Sequence, residues 1–319
     1  MMPNSNDRFD PSGMIRTVRD SLAKITRFLK LQEDIHYAIV IGSQARKVRP
    51  ADEWSDIDIV IVTSDPERYL QDSSWLEGIG IPPRITFVEK AASGGTVERR
   101  ALFSNGVAVD FSIFPFNCLG EVEESDQVQE EFVKVLRRGV IIIKDEGEMI
   151  SSFVKQLQSS GRMDQVPGSH EVSEQEFSQS ASDFFFHFVW TNRKLNRGEL
   201  WSAKTCLDCY MKSLLIQMVE WHAKAENSEE YDVWHSGRFI EQWADRSIIA
   251  EFHKIFAHYD YHDIESALHS TVRLYARIAK EVAHHYEFNY PKDIESFAWE
   301  QVGKTPGKGS DHREGGKNP

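Results

Sequence analysis

Hydrophobic positions change their spacing along the chain. Residues 11–30 place Met14, Val18, Leu22, Ile25 and Leu29 three or four apart, which predicts an amphipathic helix. Four short runs follow, Tyr37–Ile41, Asp58–Thr63, Arg84–Glu89 and Val107–Phe114. Each is rich in β-branched or aromatic residues and bounded by Gly, Pro, Asn or Ser, the mark of strands. A helix at about 124–137 and a strand at Val140–Lys144 complete this part.

Beyond about residue 170 the spacing is helical. Ser173-Glu174-Gln175-Glu176 is a capping box, and Phe177, Ala181, Phe184, Phe188 and Leu195 follow on one face. Leu207, Met211, Leu214, Met218 and Trp221 form a second series; Ile264, Leu268, Tyr275, Ile278 and Val282 form a third. Six of the eight tryptophans lie here, and aromatic residues at helical spacing read as bundle core. The expected fold class is α+β, a mixed sheet with helices followed by an α-helical bundle. The expected division is 1–12 flexible N-terminus, 13–155 first domain, 156–170 linker, 171–302 helical domain and 303–319 disordered tail.

A chain of 319 residues accommodates two such domains. Its 50 acidic and 37 basic side chains leave a net charge of −13. That balance argues against a nucleic-acid partner, which needs clustered Lys and Arg, and suits a cationic small molecule. No apolar run approaches the ~20 residues of a membrane helix. Met1–Pro11 lacks the apolar stretch of a secretory signal. A cytoplasmic monomer without a membrane partner is expected. The three cysteines, Cys118, Cys206 and Cys209, build no disulfide framework. Cys206 and Cys209 have C-x-x-C spacing, but inside a helical pattern and without a second pair for zinc. His258 and His262 lack the glutamate of an H-E-x-x-H site.

The chemistry concentrates in Ile39–Val62, where an apolar strand runs into Gly42-Ser43 and a later strand opens with Asp56-Ile57-Asp58. Strand alternation points Asp56 and Asp58 to one side and Ile57, Ile59 and Ile61 to the other. Two close carboxylates repel unless a cation lies between them, and small clusters of hard oxygen ligands are what Mg²⁺ takes. Asp110 interrupts Val107–Phe114 in the same way, opposite Val109 and Phe111. If the two strands are neighbours, three carboxylates converge. Gly42 permits close backbone approach, and Ser43 offers a hydroxyl and an N–H to phosphate oxygens. The plainer alternative makes Asp56 a turn cap and Asp110 a solvent-facing edge residue.

Gly42-Ser43 followed by Asp56-x-Asp58 resembles the signature of the DNA polymerase β-like nucleotidyltransferases. The closer similarity is to the aminoglycoside 6-adenylyltransferases, also called streptomycin adenylyltransferases. Asn105-Gly106-x-x-x-Asp110 with Pro115 is similar to that family's third-carboxylate strand. Arg197-x-Glu199-Leu200, Trp221, Gly237-Arg238, Ala279–Ala283 and Tyr290-Pro291 are similar to its helical domain. The resemblance implies antibiotic resistance by transfer of AMP from Mg-ATP to a hydroxyl of a streptomycin-like aminoglycoside, with release of pyrophosphate. It implies that Asp56 and Asp58 hold Mg²⁺, one or two ions, and that Asp110 is the third ligand or, preferably, the general base. Gly42, Ser43 and Arg46 then meet the nucleotide, with Arg193, Lys212 and Arg238 from the helical domain. Asp183, near the start of the first bundle helix, and Glu89, at a strand end, are the expected acids facing a cationic acceptor. Lys212 has a second reading, an exposed helix pair with Asp208. Two departures from the family pattern, Gln44–Arg49 and Phe184-Phe185-Phe186, bear on the acceptor. Competing functions are a same-fold enzyme modifying a protein or RNA and a non-catalytic ATP-binding regulator.

Overall fold

The computed structural model describes residues 11–90, 97–117, 136, 138–159, 172–229 and 231–303. Residues 1–10, nearly all of the helix expected at 124–137, Cys118, most of the expected linker and the tail from 304 lie outside the described residues. The chain divides into two units, Met1–Pro167 and Gly168–Pro319.

In the first unit, α1 (Pro11–Lys30) precedes β1 (Ile35–Ile41), β2 (Ile57–Thr63) and α2 (Pro66–Gln71). Then come β3 (Pro83–Glu89), β4 (Glu98–Phe103), β5 (Ala108–Pro115), β6 (Ile141–Asp145) and α3 (Met149–Ser159). The strands form one sheet in the order β3-β4-β5-β2-β1-β6. β2 and β5 run parallel and the other neighbours antiparallel, so the sheet is mixed as expected.

Alternation decides what each face carries. Ala38, Val40, Ile57, Ile59, Ile61, Val109, Phe111 and Ile113 are buried on one face against Val18, Ile25 and Leu29 of α1, Tyr69 of α2 and Trp75. On the other face Tyr37, Ile39 and Val62 are packed against Ile150 and Phe153 of α3. Among the described residues that cover does not extend to β3, where Ile85 and Phe87 are exposed. β4 is a strand the hydrophobic pattern does not announce, because it opens with Glu98-Arg99-Arg100. The two arginines point oppositely: Arg99 is buried on the helix-covered face, donating to the carbonyls of Tyr69 and Leu70 at the end of α2.

The second unit contains α4 (Glu174–Asn196), α5 (Leu200–Thr205), α6 (Met211–Glu226), α7 (Ile240–Trp243), α8 (Arg246–Glu251), α9 (Tyr261–His285) and α10 (Lys292–Gly303). The capping box forms: Ser173 Oγ accepts the Glu176 N–H at 3.2 Å, and Glu176 Oε2 accepts the Ser173 N–H at 2.9 Å. Asp260 caps α9 by accepting from His262 and Asp263. The apolar series on α4 and α9 are buried. Phe184 stacks on Tyr275 with centroids 3.6 Å apart and rings 5° from parallel. Phe184→Ala should destabilise this unit by about 3–5 kcal/mol, read as a lowered denaturant midpoint; an unchanged midpoint would refute the core assignment. Cys206 and Cys209 are free cysteines within a π-helical turn, Cys206–Tyr210. Among the described residues no helix is long and apolar enough to cross a membrane.

Candidate active site

Parallel pairing sets Asp58 of β2 directly beside Asp110 of β5, and Asp56 lies one step before β2. One carboxylate oxygen from each of Asp56, Asp58 and Asp110 falls within 4.8 Å of the others, and all three residues are half-buried. The isoleucines between them anchor the strand in the core, fixing where the carboxylates project. Burial raises the Asp110 pKa, Arg100 opposes the rise, and the Asp56, Glu98 and Glu89 carboxylates add to it, leaving it at about 6. Such a cluster of hard oxygen donors fits Mg²⁺.

The pairing of Ile41 with Asp58 brings the end of β1 to the same place. There the chain turns through Gly42–Gln44 with Gly42 at φ +67. A Cβ on Gly42 would lie 2.0 Å from Asp58 Oδ2, so glycine is required by contact as well as by backbone. Gly139 plays the matching part behind the turn, where a Cβ would meet the Ala45 carbonyl oxygen at 2.2 Å. The turn is held by Ala51 N–H donating to the Ser43 carbonyl at 2.8 Å and by Gln44 Nε2 donating to the Asp56 carbonyl at 3.1 Å. Ser43 is 8% exposed and its Oγ has no hydrogen-bond partner among the described residues. A buried hydroxyl without a partner is costly unless a ligand completes it; a phosphate oxygen is the matching chemistry. Gly42→Ala should strain the turn or push Asp58 aside and lower the melting temperature by a few degrees; an unchanged melt would show that the contact is dispensable. Arg46 Nε donates to the Arg49 carbonyl within the same loop.

Arg100 and Glu98 join the site unannounced. Asp110 pairs with Arg100 and Ser112 with Glu98 across the β4–β5 hairpin. Arg100 lies 3.2 Å from Glu89, 3.0 Å from Glu98 and 3.4 Å from Asp110. Glu89 ends β3 as expected and reaches Asp110 through this arginine. The signal was Asn105-Gly106, with Gly106 at φ 84: a three-residue loop, 104–106, closed by Phe103 N–H donating to the Val107 carbonyl, sets Arg100 opposite Asp110.

The remaining candidates lie in the second unit. Asp183 sits in the middle of α4 rather than at its start, because the helix begins at its capping box nine residues earlier, at Glu174. Its carboxylate lies 2.7 Å from His187 Nδ1 and accepts from the Tyr210 hydroxyl at 2.8 Å. Arg193 is at the edge of an apolar pocket of about 330 Å³ lined by Phe185, Phe186, Trp190 and Phe297. Lys212 is 7% exposed and donates to Thr271 Oγ1 at 3.0 Å. Burial pulls its pKa down to about 8. Asp208 pairs with Lys204, not with Lys212, because the π turn inserts a residue and rotates the helix face. Arg238 is exposed between Gly237 at φ 72 and Phe239 at φ 58.

Carboxylates on neighbouring parallel strands beside a glycine-serine turn can hold a divalent metal against a chain of phosphates. The chain belongs to the streptomycin adenylyltransferase family, whose model matches residues 15–300. It is similar to an aminoglycoside 6-adenylyltransferase of Bacillus subtilis (strain 168), 20% identical over 290 residues, 87% of this chain and 94% of that one. An aminoglycoside 6-adenylyltransferase of Campylobacter jejuni is 17% identical over 288 residues, 87% of this chain and 92% of that one. Among solved structures, an aminoglycoside 6-adenyltransferase from Bacillus subtilis aligns with a TM-score of 0.41 at 16% identity, covering 90% of this chain and 96% of that one.

Proposed function

We propose that the protein transfers AMP from Mg-ATP to a hydroxyl of an aminoglycoside and releases pyrophosphate. The observation that carries this reading is the alignment of Asp58 with Asp110 beside a glycine whose Cβ would strike Asp58. Family membership supports the reaction class.

On this reading Asp56 and Asp58 hold Mg²⁺, and Asp110 takes the proton of the attacking hydroxyl. Bound there, the metal would offset the charge of the triphosphate and of the attacking and leaving oxygens. The acceptor oxygen bonds to the α-phosphorus as the bond to the β-phosphate oxygen breaks, and the hydroxyl proton passes to Asp110. A carboxyl near 6 is ionised at neutral pH yet more basic than an ordinary aspartate, which suits that task. Gly42 and Ser43 cradle the β- and γ-phosphates. Arg46, Arg193, Lys212 and Arg238 are proposed nucleotide contacts on the family resemblance. Asp183 is the proposed acid toward a cationic acceptor, whereas Glu89 is taken up by its ion pair with Arg100.

The test is pyrophosphate release with ATP, GTP, CTP and UTP against a panel of aminoglycosides that includes streptomycin, with mass spectrometry of each acceptor. AMP added to one acceptor is the expected result. Pyrophosphate released with no adduct on any aminoglycoside would reject this acceptor class.

A further inference from the structure

The sheet order runs from β1, with its Gly42-Ser43 turn, through β2 and β5 to β4. The Gly42-Ser43 turn and Arg100 therefore lie on opposite sides of the aspartates, and Arg100 is the cation beside Asp110, the group proposed to take the acceptor's proton. Three carboxylates meet its guanidinium there. Nε is 3.2 Å from Glu89 Oε2 and 3.4 Å from Asp110 Oδ2, and the terminal Nη2 is 3.0 Å from Glu98 Oε2. Glu98 is fixed from its other oxygen by the Ser112 hydroxyl at 3.0 Å. Without the arginine these acids would form a ready seat for an ammonium or guanidinium group.

We propose that Arg100 is a specificity-determining residue: its guanidinium fills the position that a cationic group of the acceptor would otherwise take among Glu89, Glu98 and Asp110. A tethered cation is always at hand, and an incoming one must strip it from three carboxylates while being repelled by it. Cationic groups of the acceptor are therefore held elsewhere than among these three carboxylates. The inference rests on the adenylyl-transfer reading.

Calorimetric titration at low salt with spermidine and with streptomycin, used as polycation probes, tests it without requiring turnover. Arg100→Gln should bind both probes roughly five- to tenfold tighter than the wild type. Arg100→Lys should match the wild type, and Arg100→Gln combined with Glu89→Gln should fall back toward it. Equal affinity of the wild type and Arg100→Gln overturns the proposal, as does a gain that survives in the double variant. Glu89→Gln and Glu98→Gln alone supply a readout that leaves Arg100 in place. A loss of affinity below twofold is expected, because the position is already filled, and a tenfold loss overturns the proposal. Failure of the wild type to adenylylate any aminoglycoside would reject the adenylyl-transfer reading, while the binding comparison still decides the role of Arg100.

Discussion

Asp110→Asn should cost transfer about 10²–10⁴-fold, the usual worth of a positioned general base, while making the protein harder to unfold. In the folded chain burial and the neighbouring carboxylates hold the Asp110 carboxyl at about 6, against ~3.9 in an unfolded chain. The folded state thus favours the protonated form. Its contribution is fully present below pH ~4 and is lost as pH rises through about 6. At pH 8 the ionised aspartate is a strain that asparagine lacks. Discounted for a half-buried group with an arginine beside it, relief should be on the order of 1–2 kcal/mol, a rise of a few degrees in melting temperature. Melting wild type and variant at pH 4 and pH 8 without Mg²⁺ checks the sign. A difference that shrinks toward pH 4 is expected, and equal melting at pH 8 would deny the strain. Retained Mg-ATP affinity in the variant fits a base, whereas a large loss would make Asp110 a metal ligand.

Asp56→Asn should remove pyrophosphate release almost entirely, by about a thousandfold or more, since a carboxamide replaces one of few anionic ligands and several kcal/mol of charge stabilisation goes with it. The Mg²⁺-dependent rise in melting temperature that ATP produces in the wild type should vanish as well. Undiminished release by this variant would end the metal assignment. Because Asp56 precedes β2 and does not share its ladder, the fold should survive the change.

The carboxylate cluster was legible because it contradicts the pattern around it. Asp58 and Asp110 interrupt runs of β-branched and aromatic residues and Asp56 opens one, and period-two alternation says which side each faces. The strand pairing that brings Asp110 to Asp58 is a long-range fact that alternation leaves open; family resemblance filled that gap. β4 was hidden because charged residues occupy both of its faces: Arg99 satisfies helix-end carbonyls on one, and Arg100 binds carboxylates on the other. Lys212 was misleading for a local reason. Its spacing from Asp208 assumes an uninterrupted α-helix, and the π turn at Cys206–Tyr210 breaks that assumption. The bundle core was legible throughout α4 and α9, where apolar spacing and capping residues agree.

The β4–β5 hairpin has an evolutionary consequence. On the proposed reading the groups facing phosphate lie at the Gly42-Ser43 turn after β1 and at the start of β2, whereas Arg100 and Glu98 lie on β4 and Glu89 at the end of β3. Single substitutions at Glu98 or Arg100 would therefore change the charge beside Asp110 while leaving Asp56 and Asp58 in place. A one-residue insertion at Asn105-Gly106, by contrast, would lengthen the turn and leave the register, since Arg99 is pinned by its burial against the end of α2.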